Sequence, residues 1–216
     1  MAEMWKQVEA INNGRTAEKQ MILTRSLMKK YGDDALLRAI RKAYNVAETK
    51  AVATSDLETQ LFSTWWSERK SVDDVFELLK MKNLQEEVFN SRGMQVIDGY
   101  ISAVEPQTRR HGMMLTGVLS RGFKGEDKLA IILTNVKVNG ERFDDAAKTK
   151  ATGLQNRLFQ QWWHEGVDST SKAYTTKFNV AERAASDAQI RAVSNFEEFL
   201  TAKMNNAANV ARRRRK

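Results

Sequence analysis

Three adjacent carboxylate pairs, Asp33-Asp34, Asp73-Asp74 and Asp144-Asp145, are the side chains of this sequence best placed for acid–base work. Each pair falls at or near the start of a predicted helix. There a carboxylate caps free N–H groups and sits at the positive end of the helix dipole. Capping accounts for all three pairs, so an enzyme is not expected. The remaining chemistry is narrow. The chain has two histidines, His111 and His164, and no cysteine. That excludes disulfides, thiolate metal sites and a cysteine nucleophile, and argues against a zinc site or a Ser-His-Asp triad. No cofactor or metal is expected. Arg109-Arg110-His111 reads as solvated charge at a junction. The run Arg212-Arg213-Arg214-Arg215-Lys216 reads as a solubilising tail, or as a nuclear import signal or phosphate-binding arm. It carries five of the eight net positive charges, which leaves +3 on the body. That is too slight for a nucleic-acid face, so direct nucleic-acid binding is not expected.

The elements that hold these residues are helices. Among 216 residues there is a single proline, Pro106, and Ala, Leu, Lys and Glu are abundant. The expectation is an all-α protein. At 42% hydrophobic and 29% charged residues it has enough apolar side chains for a core. No apolar run reaches the ~18 residues of a spanning helix, so no membrane partner is expected.

The stretch Leu61–Leu79 organises the chain. One helix ends near Glu68 and a second starts at Ser71, a candidate N-cap with Asp73 and Asp74 in the first turn. Leu57, Leu61 and Trp65 make one apolar stripe; Val72, Val75, Phe76 and Leu79 make another. The short break folds the two onto each other with Trp65 at the seam. Upstream, helices are predicted from Thr16 to Tyr31 and, after Gly32, from Asp33 or Asp34 through Tyr44. Trp5, Val8 and Ile11 suggest a short helix before them. Downstream, Leu84–Phe89 is a short helix or turn, and Gly93 precedes a closing helix at Val96–Val104.

The same blocks recur in the same order. LQNRLFQQWW (Leu154–Trp163) repeats LETQLFSTWW (Leu57–Trp66), Phe123–Leu129 echoes Tyr31–Leu36, and Phe196–Leu200 echoes Ile97–Ile101. Three blocks in register argue for a tandem repeat. The register reads Leu129–Val138 as a helix despite its β-branched residues, ended by Gly140. A helix at Ala146–Trp163 follows, then a restart at Asp168 or Ser169 and a closing helix from Ala184 to Met204. The more polar Asp168–Phe178 suggests a looser second core, or one that touches something else.

This order resembles the tandem WY/LWY repeat units of RXLR effectors from oomycetes such as Phytophthora. Leu27–Leu37 (LMKKYGDDALL) is similar to the L motif, Gln60–Leu79 (QLFSTWWSERKSVDDVFELL) to the W motif, and Gly99-Tyr100-Ile101 to the Y motif. Trp65 takes the W position, because Ser71 lies six residues on, and Tyr100 the Y position. In the second unit Trp162 takes the W role and Phe199 the Y role. The resemblance implies tandem helical bundles stacked end to end through their L-motif helices. The implied boundaries are a preceding partial repeat at 1–25, a first unit at 26–110, a second at 111–204 and a basic tail at 205–216. It also implies a fragment of a larger effector. The core is expected to include Leu27, Leu36, Leu61, Trp65, Phe76, Tyr100, Leu129, Leu158, Trp162 and Phe199.

The function implied is an effector, secreted by the pathogen and delivered into the host cell, that binds a host plant protein to suppress immunity. One form recruits the scaffold subunit of the type 2A phosphatase. The alternative is a nuclear effector that interferes with RNA silencing or chromatin partners through the basic tail. Trp66 and Trp163 each follow a core Trp and point about 100° away from it around the helix. They are read either as a second core contact or as partner-contact anchors, since Trp is common in binding hot spots.

Overall fold

With so little proline the chain breaks its helices mainly at glycines and capped polar turns. The computed structural model describes residues 17–44, 56–105, 108–139 and 141–213, and every described element is helical. They are α1 (Ala17–Tyr31), α2 (Asp33–Tyr44), α3 (Asp56–Ser67), α4 (Val72–Leu78), a 3-10 segment (Met81–Asn90), α5 (Arg92–Val104), α6 (Thr108–Gly122), α7 (Glu126–Val138) and α8 (Asp145–His164). A short α9 follows, α-helical over Thr170–Lys172 and π-helical over Ala173–Lys177, then a 3-10 turn (Glu182–Ala184) and α10 (Asp187–Arg213). The α1–α5 series recurs as α6–α10. Leu129–Val138 lies within helix α7, with Leu129, Ile132, Leu133 and Val136 buried. The predicted helix at Trp5–Ile11, the single proline Pro106 and the stop assigned to Gly140 lie outside the described residues.

The described residues form two compact units. The first holds those up to Lys80 together with Gln95 onward in α5. Met81–Met94 joins the residues from α6 onward in the second. In the first unit, Thr24 of α1 donates to Gln60 of α3 at 2.9 Å. The buried residues include Met28, Leu36, Leu37, Leu61, Trp65, Val75, Phe76, Ile97 and Tyr100. Gly99 lets α5 lie close to α3: a Cβ there would sit 3.0 Å from the Phe62 ring. In the second unit Leu129, Leu158, Phe159, Trp162, Val193 and Phe196 form the centre. The 3-10 segment is tied in by Asn135 donating to Glu86 at 2.7 Å and by an Arg142–Glu87 ion pair. Its Val88 and Phe89 are buried.

Four expectations need correction. Leu27 is half-buried. The buried face of α1 carries Thr24 and Met28, four residues apart, and Leu27 stands off that line. Phe199 is also half-buried, because the buried stripe of α10 runs through Val193, Phe196 and Leu200. Gly93 lies inside the first turn of α5 rather than before it. The closing helix runs on to Arg213, so most of the segment read as a tail from Asn205 is helical, including Arg212 and Arg213. Arg214, Arg215 and Lys216 lie outside the described residues.

Candidate functional site

Each unit is built around a buried indole. A buried indole N–H needs an acceptor, and the fold supplies a carboxylate from the first residue of the second helix. Trp65 Nε1 donates to Asp33 at 3.1 Å. Trp162 Nε1 donates to Glu126 at 2.7 Å. A lysine balances each carboxylate: Lys70 stands 3.5 Å from Asp33 and Lys177 stands 2.8 Å from Glu126. A hydrogen bond to Glu68 and the nearby charge of Asp33 outweigh burial and hold the Lys70 ammonium above its ordinary pKa. At Lys177 burial disfavours the charge most, but hydrogen bonds to Glu126 and Glu165 together overcome it, again raising the pKa.

The rings complete each site. Trp65 meets Tyr100 edge-on at 5.5 Å, and Phe62 packs against both. Trp162 meets Phe196 at 5.5 Å, with Phe159 and Phe178 beside it. Phe196 therefore holds the place assigned to Phe199. It lies 96 residues after Tyr100, close to the 97 that separate Trp65 from Trp162. The Tyr100 hydroxyl donates to the Lys70 carbonyl at 2.6 Å, a bond that Phe196 cannot make.

The same turn follows both tryptophan helices. Lys70 N–H bonds to the Trp65 carbonyl at 2.9 Å and Arg69 N–H to Trp66 at 2.9 Å. Val167 and Gly166 repeat this to Trp162 and Trp163 at 3.0 and 3.1 Å. This pair of bonds is the Schellman closure, which places a left-handed residue after the helix: Arg69 at φ 58° and Gly166 at φ 87°. Ser71 then caps α4. Its Oγ accepts from Asp74 N–H while Asp74 accepts from Ser71 N–H at 2.7 Å.

The carboxylate pairs divide among these tasks. Asp74 completes a capping box and Asp144 caps α8 by accepting from Ala147 N–H at 2.7 Å, whereas Asp33 receives the Trp65 indole. Among the described residues no group of three or more His, Asp or Glu is placed to hold a metal, and no helix is long and apolar enough to cross a membrane.

Leu36, Leu61, Phe76, Leu129 and Leu158 are buried with the two indoles. Trp66 is 62% exposed and Trp163 43% exposed, so both second tryptophans face solvent at equivalent places. Lys203 stands 5.6 Å from the Trp163 ring and 5.3 Å from that of Phe199.

Sequence reasoning missed the carboxylate acceptors and their lysines. The signal was in the repeated block: an acidic residue directly follows the glycine both times, at Gly32-Asp33 and Gly125-Glu126. It also missed a polar network inside the second unit. Gln155 donates to Thr134 at 2.8 Å, and Lys137 donates to Gln155 at 2.8 Å and to Asn195 at 3.0 Å. Gln155 lies between Leu154 and Leu158 on the buried face of α8, and a polar residue within that apolar stripe was its only mark.

No protein-family model matches the chain. It is 32% identical to an RxLR effector protein of Phytophthora infestans over 72% of this chain and 28% of that protein. A second Phytophthora infestans RxLR effector is 34% identical over 75% of this chain and 22% of its own length. RxLR effector protein PSR2 of Phytophthora sojae is 22% identical over 69% of this chain and 21% of that protein. The chain thus spans about a quarter of the length of these relatives. The crystal structure of PcRxLR12 shares its fold, with a TM-score of 0.64 at 19% identity, over 95% of this chain and 57% of that one. With tandem helical units and matches of this kind, the chain is similar, over about 70% of its length, to RxLR effectors of Phytophthora.

Proposed function

We propose that this chain is part of an effector that works inside plant cells by binding a host protein, to the pathogen's advantage. RxLR effectors are secreted pathogen proteins delivered into host cells. The observation that carries the reading is the repeated pair of tryptophans. The first of each pair fills a core, while the second, Trp66 or Trp163, is exposed. A large apolar ring left in water on each of two equivalent helix ends suits an anchor for a protein partner. Affinity purification of the chain from plant cells, beside a Trp66→Ala/Trp163→Ala variant, tests this. A host protein enriched with the parent chain and lost with the variant is expected. Equal capture by the two chains, or no capture, defeats it.

The finer form of this reading is recruitment of the scaffold subunit of the type 2A phosphatase, for which repeated helical units offer suitably extended surfaces. Purified scaffold subunit mixed with the chain tests that directly; no co-elution removes it. A second reading rests on the basic run at Arg212–Lys216, which α10 carries as helix through Arg213. It is import into the nucleus and interference with RNA silencing or chromatin partners there. A fluorescent fusion lacking Arg212–Lys216 should lose nuclear signal. Unchanged distribution defeats this reading.

A further inference from the structure

The second unit carries a groove of about 1130 Å³ lined by residues of α6, α7, α8 and α10. Its wall includes Met113, 67% exposed, with Phe199 and Ala202. Lys137 of α7 lines the same groove, half-buried, and its surroundings are unusual. An ammonium has three donors. Two of them go to the neutral oxygens of Gln155 and Asn195. Those amides are held in turn. Gln155 and Asn195 both donate to the Thr134 hydroxyl, at 2.8 and 3.4 Å, and Thr134 donates to the Ala130 carbonyl at 2.8 Å. Thr134 and Gln155 are fully buried. Three polar side chains occupy core and near-core positions, where apolar ones would pack without this need for partners. Together they fix one cation at the groove wall.

That cation has no ion-pair partner among the described residues. Glu198 of the same groove is the carboxylate that acts on it, and only through its charge; burial dominates and pulls the lysine below its ordinary pKa. A half-buried charge without a counter-ion is costly. Two further cations line the groove, Arg157 and Lys203, and neither has a carboxylate partner among the described residues. Of the two carboxylates on the wall, Glu165 is engaged by Lys177; Glu198 remains. His164 also lines the groove, with its imidazole Nε2 2.9 Å from the Gln160 amide. The groove therefore combines apolar surface with an excess of uncompensated positive charge. It exceeds the volume usual for a small-molecule pocket and suits several residues of a peptide.

We infer that this groove binds an acidic, amphipathic peptide segment of a protein partner, with a carboxylate of that segment seated on Lys137 and its apolar side chains against Met113 and Phe199. The inference rests on the reading of the chain as a protein-binding module and adds the chemistry of the segment it takes.

The test uses the whole chain and a fluorescein-labelled peptide of about 15 residues with Leu at i, i+3, i+4 and i+7 and Glu elsewhere. Its control carries Gln for every Glu. Fluorescence anisotropy should show the Glu peptide binding at least about tenfold more tightly than the Gln peptide. Lys137→Met should weaken it by about tenfold or more, within the range of a lost charge-assisted hydrogen bond. Arg157→Glu, at an exposed position where folding is not at stake, should weaken it by several fold. If Lys137→Met fails to fold by circular dichroism, Arg157→Glu decides. Equal binding of the two peptides, no binding, or undiminished binding by folded variants overturns the inference. So does a preference for single-stranded RNA of equal charge. Capture of a host protein that Trp66→Ala/Trp163→Ala abolishes and Lys137→Met leaves intact would overturn the groove and keep the proposed function. Glu-peptide binding without any host capture would do the reverse.

Discussion

Trp65 and Trp162 each give an indole N–H to a carboxylate at the head of the second helix of their unit, yet the cation behind that carboxylate comes from different places. In the first unit it is Lys70, in the turn that closes the tryptophan helix itself. In the second it is Lys177, at the end of the π-helical segment, and the residue corresponding to Lys70 is the buried Val167. The ring partner changes as well. Tyr100 adds a hydrogen bond to the turn, whereas Phe196 has no hydroxyl and its site gains Phe178. Glu126 accepts from Trp162, Gln161 and Lys177; Asp33 is engaged by Trp65 and Lys70. What the two units share is a pattern of satisfied donors and acceptors around a ring. The residues that satisfy it have drifted, because any cation within reach meets the same electrostatic need.

The largest effect expected is from the indoles. Trp65→Ala and Trp162→Ala each remove a fully buried side chain and should cost about 3–5 kcal/mol in their own unit. Hydrogen exchange in α5 and in α10 separates the two losses. Aromatic pairs add about 0.5–1.5 kcal/mol beyond burial, and among the described residues Trp162 has three ring partners against two for Trp65. The second unit should therefore lose more. A loss confined below about 1 kcal/mol in either unit would break the view that the indole organises it.

The carboxylates come next. Asp33→Ala or Glu126→Ala leaves an indole N–H without its acceptor, worth about 1–3 kcal/mol. Glu126→Ala should cost more, because it deprives three donors rather than two. Asp33→Asn and Glu126→Gln keep an acceptor and should recover most of the loss in urea denaturation. Equal costs for the Ala and amide variants would mean that the indole bond contributes nothing.

The helices and both tryptophans were legible because burial imposes a helical period and the chain repeats it. Even the β-branched α7 followed from its register with α2. Leu27 and Phe199 were misplaced because each lies close to the true core residue, Leu27 next to Met28 and Phe199 about one turn from Phe196, and a branched chain or ring at either place fits a motif equally well on paper. The α10 stripe decides it: Val193, Phe196 and Leu200 repeat at three and four residues, and Phe199 falls at the edge. The polar network of Thr134, Lys137, Gln155 and Asn195 joins three helices. Its members are 58 and 61 residues apart at the extremes, a distance at which periodicity carries no information.

Acid should separate the units by a smaller margin. A hydrogen bond from Lys177 lowers the Glu165 pKa from its ordinary 4.5. One from Ser71 lowers that of Asp74 from 3.8. Both carboxylates have depressed native values, so each contributes stability that is present above the ordinary value and lost as pH falls through the native one. The second unit should begin to weaken at higher pH than the first, by up to about 1 kcal/mol, since the Lys177–Glu165 pair is partly exposed. Glu165→Gln should remove that early loss from hydrogen exchange measured in α10. An unchanged acid profile would assign the loss to another carboxylate.

The smallest effect comes from the turn the units share. Arg69 holds a left-handed conformation at φ 58° where the second unit has Gly166 at φ 87°. A side chain in that region costs about 1–2 kcal/mol, while glycine gives back about 0.5–1 through the freedom of the unfolded chain. Arg69→Gly should therefore stabilise the first unit by about 0.5 kcal/mol, the difference between those two terms. Gly166→Ala should destabilise the second by about 1 kcal/mol on the same grounds. A Cβ at Gly166 meets nothing within 4 Å, so that loss would be conformational alone. Opposite signs in the two thermal melts confirm that one closure serves both tryptophan helices. A loss with Arg69→Gly would show instead that the arginine side chain holds the turn, through contacts that outweigh its backbone strain.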